Sequence, residues 1–298
     1  MTLIIASAKD LPGWEKDDIP FHKALAQLNI PYVIKPWDEE GFLHSDTQLV
    51  LVRTTWDYQE RPEQFLKWAQ DTSAQVALLN DAHIIEWNSK KTYLRELNEV
   101  GAPLAPTLWL NKGDDVSLSQ ILDKNKWSKG FIKPVFGASA RGTCRFGEGL
   151  DELTQAQAFL DEWLSKEDMM VQPYLQSVET EGETSLLYLG GQFSHAVQKI
   201  PVPGDYRVQD DYGAKDFPIE PAPELLQLGS HILQSAQDCL QKRFGSPSFF
   251  NYARVDLMKD DSGQFVVAEL ELIEPSLFFR HSAQAGMQLA QHIKSLIK

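Results

Sequence analysis

Four residues with chemical potential, Arg254, Asp256, Glu269 and Glu271, lie in the stretch NYARVDLMKDDSGQFVVAELELIEPS. It reads as a β-hairpin, two segments of alternating apolar and polar residues around the turn KDDSG. Residues two apart on a strand share a face, so Arg254 goes with Asp256 and Glu269 with Glu271, and an antiparallel partner can bring the two sets side by side. Hard carboxylate oxygens on a rigid scaffold suit Mg²⁺, which takes a few carboxylates and fills its remaining positions with water and phosphate oxygens. Without a cation, acids so crowded raise one another's pKa or repel. The pattern alone fits equally well with solvent-facing acids paired to lysines.

A second group is GFIKPVFGASARGT, where Lys133 ends a strand and Gly137, Ala138, Ser139, Ala140, Arg141, Gly142 and Thr143 follow. Small residues let backbone N–H groups approach an anion, which suits a phosphate-covering loop. The spacing is neither a Walker A nor a GxGxxG sequence, and such a loop taken alone is more often a plain turn. Further on, MMVQPYL is either a simple buried strand or one whose end, at Gln172, Pro173 and Tyr174, pairs a nucleobase through backbone groups. In the second case Glu179 or Glu183 accepts hydrogen bonds from ribose hydroxyls. Cys144 adjoins the loop without a histidine to activate it, so a nucleophilic role is not expected.

The chain that must position these groups has 298 residues, 43% of them hydrophobic, enough for two or three packed units. Its 42 acidic and 28 basic residues give a net charge of -14, which argues against general affinity for nucleic acid or anionic membranes. No run of eighteen apolar residues occurs, and MTLIIASAKD lacks the features of a signal peptide, so a cytoplasmic protein is expected. Two cysteines and seven scattered histidines show no metal-ligand spacing, and no zinc site is expected.

The first eighty residues alternate strand and helix: TLIIAS, DDIPFHKALAQLN, YVIKPW, QLVLVRTTW, PEQFLKWAQD and VALLN. That order predicts a mainly parallel sheet with Arg53, Thr54, Thr55, Trp56, Asp57 and Tyr58 at its carboxyl edge. Thereafter the sequence predicts a helix over about 88–100, strands at TLWL and GFIKPVF around the helix SLSQILDKN, an acidic helix over 151–166, and strands at 169–175, 184–191 and 192–200. Residues 203–223 read as a long polar loop. A helix over 223–244 follows, with Leu226, Leu233, Leu240 and Phe244 on one stripe, and another covers about 282–297.

The order of these motifs resembles the ATP-grasp superfamily over roughly residues 80–298. An R-x-D, here Arg254-Val-Asp256, is followed by E-x-E, here Glu269-Leu-Glu271, after two strand-end lysines, Lys91 and Lys133, and the small-residue loop 137–143. Within the superfamily the chain is similar to the group containing the cyclo-ligase that closes the cycloserine ring, itself related to glutathione-synthetase-like grasp domains. The segments that carry this likeness are VRTTWDY, IEWNSKKTYLREL, PGDYRVQDDYG, NYARVDL and ELELIEPSLF.

The resemblance implies an α/β fold, α+β in the ATP-binding part, with an N-terminal pre-grasp domain over 1–82 and grasp subdomains over 83–170 and 171–298. It implies ATP and Mg²⁺ as cofactors, with one or two ions and Mn²⁺ as a substitute. Lys91 and Lys133 then bind phosphates, with Lys90 the rival for Lys91, and Gly137, Ala138, Ser139 and Gly142 fold over them. Gln172, Pro173 and Tyr174 lie at the adenine hinge, Glu179 or Glu183 near the ribose, and Asp256, Glu269 and Glu271 at the metal. Many members have Asn where this chain has Glu271, which bears on a second ion.

The implied reaction is phosphoryl transfer to a small amino-acid-like carboxylate, giving an acyl phosphate that an amine or internal nucleophile attacks. Arg254 would stabilise the developing charge, Lys199 and Arg207 beside the loop 201–213 would bind the γ-phosphate or a substrate carboxylate, and Arg53, Trp56, Asp57 and Tyr58 would face the acceptor. The expected partner is a small-molecule carboxylate, with no nucleic acid and no membrane, and a homodimer is an allowed assembly. The rival readings are a non-catalytic ATP-binding sensor and a small-molecule kinase.

Overall fold

Strands with water on neither face need continuous apolar runs, and TLIIAS and QLVLVRT supply them. In the computed structural model, which describes residues 2–11, 16–137 and 140–297, these become β1 (Thr2–Ser7) and β3 (Thr47–Thr54) at the centre of a parallel sheet. Its order is β2-β1-β3-β4, with β2 at Tyr32–Pro36 and β4 at Ala77–Leu79. Helix α1 (Ile19–Gln27) covers one face, and α2 (Pro62–Ser73), through Phe65 and Ala69, covers the other.

Two short helices follow, α3 (Ala82–Asn88) and α4 (Tyr93–Glu99), in place of the single helix expected over 88–100. The chain breaks at residues 89–92 because Asn88 and Lys91 are held from outside the helix. The Asn88 side chain bonds a strand of the third sheet, and the Lys91 backbone N–H donates to Val135 O at 2.8 Å.

A second, antiparallel sheet has the order β5-β8-β6-β7, from Leu108–Leu110, Met169–Pro173, Lys129–Pro134 and Cys144–Gly147. Helices α5 (Leu118–Asn125) and α6 (Leu150–Leu164) pack on one face, through Leu118, Leu122, Leu160 and Leu164 against Ile132 and Val171.

The short α7 (Ser177–Thr180) leads to the third sheet, of antiparallel order β11-β10-β9-β12-β13. These strands are β9 (Glu183–Leu189), β10 (Gln192–Ile200), β11 (Lys215–Ile219), β12 (Tyr252–Lys259) and β13 (Phe265–Glu271). The segment expected as a loop over 203–223 thus contains an edge strand, because β10 has a free ladder that Lys215–Ile219 completes. Pro218 is tolerated there as edge-strand prolines are.

Helix α8 (Pro223–Phe244) buries Leu225, Gly229, Ile232, Ala236, Cys239 and Leu240. Of the expected stripe, Leu240 is buried and Leu233 and Phe244 pack against the same core, whereas Leu225 is buried in place of Leu226. Small Gly229 and Ala236 define the contact, and a Cβ at Gly229 would stand 2.2 Å from the Tyr188 hydroxyl. The last helix, α9 (Ala285–Leu296), joins α1 in the core shared by the first and third sheets. Gly286 is required there, since a Cβ would lie 2.8–2.9 Å from the backbone of Pro20 and Phe21.

Among the described residues no helix is long and apolar enough to cross a membrane.

Candidate active site

One buried face of β9 and β12 changes character along its length. Leu187, Leu189 and Tyr252 pack beneath α1 and α9, whereas Glu183, Ser185, Arg254 and Asp256 continue the same face by the two-residue period. Pairing adds Glu271 opposite Arg254, Glu269 opposite Asp256 and Lys199 opposite Glu183. An extra residue at Ala268 shifts the register beyond Asp256, and the next strand pair is Leu257 with Val267.

The outer edge of β13 carries no further strand, so other groups satisfy its backbone. Asn88 donates to Leu270 O at 2.8 Å and accepts from Leu272 N at 2.9 Å. Leu270 N donates to the Tyr93 hydroxyl at 2.9 Å, and Val267 N to Pro103 O at 2.8 Å. Asn80 bridges the hairpin strands, donating to Tyr252 O at 2.9 Å and Leu272 O at 2.7 Å. Buried backbone groups are costly to leave unmatched, so these contacts fix the carboxylates' positions.

Electrostatically, each acid of the row has a cation within ion-pair distance, with Arg254 and Lys199 each shared between two acids. Arg254 donates to both oxygens of Asp256 at 3.0–3.1 Å, bonds Glu271, and reaches Ser276 O at 3.1 Å. Ser185 Oγ donates to Asp256 at 2.5 Å, and Lys199 lies 3.5 Å from it while bonding Glu183. Burial opposes ionisation of Asp256, yet Arg254 and Lys199 outweigh it and hold the carboxyl at about 2. Lys91 and Lys133 stand 3.2 and 3.8 Å from Glu269 and, against burial, lower its pKa. Burial, opposed by Arg254 and helped by Asp256 and Glu269, pushes Glu271 up to about 7. Burial lowers Lys133.

This row forms one wall of a cleft of about 530 Å³ between the second and third sheets, to which the first unit contributes Trp56, Tyr58 and Gln59. Lys91, Lys133, Gly137, Gln172, Pro173, Tyr174, Glu183, Lys199, Arg207, Arg254, Asp256, Glu269 and Glu271 all line it. Lys91 Nζ also donates to Gly137 O at 2.8 Å, while Lys90 is exposed. Gly182, at φ +80°, brings Glu183 against β10 so closely that a Cβ would overlap Lys199 O at 2.1 Å.

Other sequence candidates fall elsewhere. Ala138 and Ser139 lie outside the described residues. Gly142 backs onto Trp163 and does not line the cleft. Glu179 bonds Arg145 and the Tyr174 hydroxyl, both at 2.6 Å, and leaves Glu183 as the acid of the two in the cleft. Arg207 lines the cleft, but its fork is bonded to Asp205 at 2.7 Å and lies 3.9 Å from the Tyr212 ring centre.

Arg53, expected to face an acceptor, is 1% exposed instead, with its fork on Asp18 at 2.7 and 3.0 Å and a third bond to Pro275 O. Asp57 is likewise turned aside, to Arg61 and Trp37. The sheet's carboxyl edge thus braces the neighbouring unit through Arg53, and the turn after it presents Trp56, Tyr58 and Gln59 to the cleft.

Three residues of the site escaped sequence reasoning. Ser185 gave no signal within an apolar strand. Phe278, at φ +48°, is a bulky residue in left-handed backbone, with the guanidinium carbons of Arg280 and Arg254 4.8 and 5.6 Å from its ring centre. Such backbone persists only where its surroundings enforce it. Glu274, within IEPS, lines the cleft, and burial with the charge of Glu271 pushes its carboxyl up to about 8.

Behind Phe278, Arg280 bonds Asp17 at 3.1 Å, Asp210 at 2.8 Å and Asp216, and His281 lies 2.5 Å from Asp216. The segment carrying Asp210 and Asp216 is thereby tied to the first unit beside the cleft mouth.

Comparisons with known proteins agree with this architecture. The family model described as D-cycloserine synthetase DcsG, N-terminal domain, matches residues 3–80. The cycloserine biosynthesis protein DcsG of Streptomyces lavendulae is 25% identical over 309 residues, covering 99% of this chain and 98% of that protein. The crystal structure of D-cycloserine synthetase DcsG superposes with a TM-score of 0.86 at 23% identity, covering both chains fully. D-alanine–D-alanine ligase from Bacillus anthracis, complexed with ATP, gives 0.66 at 17% identity, covering 99% of this chain and 96% of that one. The chain has the fold of these ATP-grasp structures, and along its whole length it is similar to the cycloserine biosynthesis protein DcsG.

Proposed function

We propose that the protein uses ATP to activate a small, amino-acid-like carboxylate as an acyl phosphate, which an amine or an internal nucleophile then attacks to release phosphate. The observation that carries this reading is the single cleft in which Lys91 and Lys133 face the row Arg254, Asp256, Glu269 and Glu271. A site that only held nucleotide would have no use for a buried guanidinium beside the acids. The three sheets support a division into an acceptor-side unit, 1–82, and two grasp subdomains, 83–170 and 171–298.

Among the described residues no three acidic, histidine or cysteine side chains converge as a ready-made metal cage. Mg²⁺ in phosphoryl-transfer sites does not need one, because phosphates and water supply most of its shell. The donors fit it: Asp256 and Glu269 are cross-strand partners bearing hard oxygens, and Glu271 is held up at about 7 among like charges that a cation would relieve. These three would hold the ion, which when bound neutralises phosphate charge.

The chain's own groups do the rest. Lys91 and Lys133, now on Glu269, turn to phosphate oxygens, and the strand end at Gln172–Leu175 offers its backbone to the base. Glu183 accepts from ribose. Arg254, anchored by Asp256 and Ser276 O, directs its remaining N–H groups at the charge that develops as the phosphoryl group moves, the kind of preorganised stabilisation that dominates such reactions.

The test is incubation with ATP, Mg²⁺, hydroxylamine and a panel of amino-acid-like carboxylates. Acyl hydroxamate and ADP are expected in equal amounts. ADP without hydroxamate, or neither product across the panel, overturns the reading.

A further inference from the structure

Phe278 is buried, lines the cleft and holds a left-handed backbone conformation, φ +48°, that bulky side chains seldom adopt. Its neighbours impose it. The carboxylate of Asp17, in the first unit, accepts from Phe279 N and Arg280 N, both at 3.1 Å. Phe278 O in turn accepts from His281 N at 2.9 Å and from His195 Nε2 at 3.2 Å. Backbone strain held by bonds on both sides of the residue fixes where its side chain points. Three cations then lie within reach of the ring centre: the guanidinium carbons of Arg280 and Arg254 at 4.8 and 5.6 Å, and Lys199 Nζ at 6.0 Å. Arg254 and Lys199 are the two that line the cleft.

We propose, resting on the ligase reading above, that Phe278 is a positioning residue whose ring steadies Arg254 and Lys199 in the directions from which they meet the transferring phosphoryl group. Carboxylates already hold each cation on one side, Asp256 and Glu271 for Arg254, Asp256 and Glu183 for Lys199. A further acid would neutralise them and draw them away from an incoming anion. An aromatic ring attracts a cation through its quadrupole without cancelling its charge, so both stay available. An aliphatic side chain of similar size fills the same space and exerts no such attraction. Phe278 also packs in the core with Leu187 and Leu189, so lost packing and lost positioning have to be told apart.

The experiment compares the parent with Phe278→Leu, Phe278→Met and Phe278→Tyr in steady-state kinetics, using ATP, Mg²⁺, hydroxylamine and the panel carboxylate that gives the parent most hydroxamate. Thermal melts and calorimetric affinity for a non-hydrolysable ATP analogue accompany it. Phe278→Leu and Phe278→Met should each lower kcat roughly tenfold, the scale of two partly buried cation–π contacts. KM for ATP and affinity for the analogue should stay within about threefold, because nucleotide binding does not depend on the ring. Phe278→Tyr, which keeps the aromatic face, should return kcat to within about threefold of the parent. The positioning role is overturned if kcat survives both aliphatic variants, if kcat and ATP affinity fall together, or if Phe278→Tyr loses as much as Phe278→Leu. Failure of both aliphatic variants to fold makes the ring a packing element and overturns it equally. Absence of turnover by the parent is a different result: it overturns the ligase reading, and this inference with it.

Discussion

Arg254 stands opposite Glu271 on the β12–β13 ladder and reaches two residues along its own strand to Asp256, so one guanidinium holds two carboxylates of the cleft. Removing it leaves Asp256, 2% exposed, with Lys199 and Ser185 as its remaining partners. Arg254→Met should lower kcat by about 100-fold or more, the scale on which single electrostatic stabilisers act, while KM for ATP changes by less than about tenfold. Steady-state kinetics separate the two. Equal changes in both would make Arg254 a nucleotide-binding residue. The variant should also be destabilised by ~3–5 kcal/mol, because a buried charge loses its main partner.

Arg53 is argued to brace the fold and not to touch substrate. Asp18 is fully buried beneath it and has no exposure with which to regain solvation. Arg53→Ala should therefore cost ~3–5 kcal/mol, read by chemical denaturation. Protein that remains folded should show KM values within about threefold of the parent. A large rise in KM for the carboxylate with little loss of stability would return Arg53 to the acceptor side.

Glu274 gives a pH signature. Its folded-state pKa of about 8 lies above the ordinary value of ~4.3, so between those two pH values the native protein binds the proton that the unfolded chain releases. Stability contributed by this group is complete below the unfolded value and is lost as pH rises, levelling off once the folded value is passed. Glu274→Gln should remove that decline, up to ~1.4 kcal/mol per pH unit. Thermal melts of both proteins from pH 5 to pH 8 check it, and parallel curves would show that Glu274 titrates normally.

How much of this was legible beforehand depended on distance along the chain. The parallel first sheet and the hairpin follow from local alternation, as in Arg254 to Asp256 and Glu269 to Glu271, and so were readable. Arg53 was misread because Asp18, its partner, lies 35 residues earlier and only tertiary structure joins them. The helix break at residues 89–92 has no Pro or Gly to announce it, and its cause, the bonds of Asn88 to Leu270 and Leu272, spans more than 180 residues. The contact face of α8 was read in part, through Leu233, Leu240 and Phe244, while Gly229 and Ala236 at its centre are small residues that a search for large apolar side chains overlooks. Glu274 lies past the strand in a turn before Pro275, where no periodicity marks a direction.

Arg280 ties Asp17 of the first unit to Asp210 and Asp216 of the segment that carries Arg207 and Gln209 into the cleft. The same segment is also held by His281 on Asp216 and by the β10–β11 ladder, so charge secures one side of it and backbone pairing the other. Dissolved salt screens charges and leaves backbone pairing untouched, so raising ionic strength should loosen the Arg280 contacts before it loosens the strand.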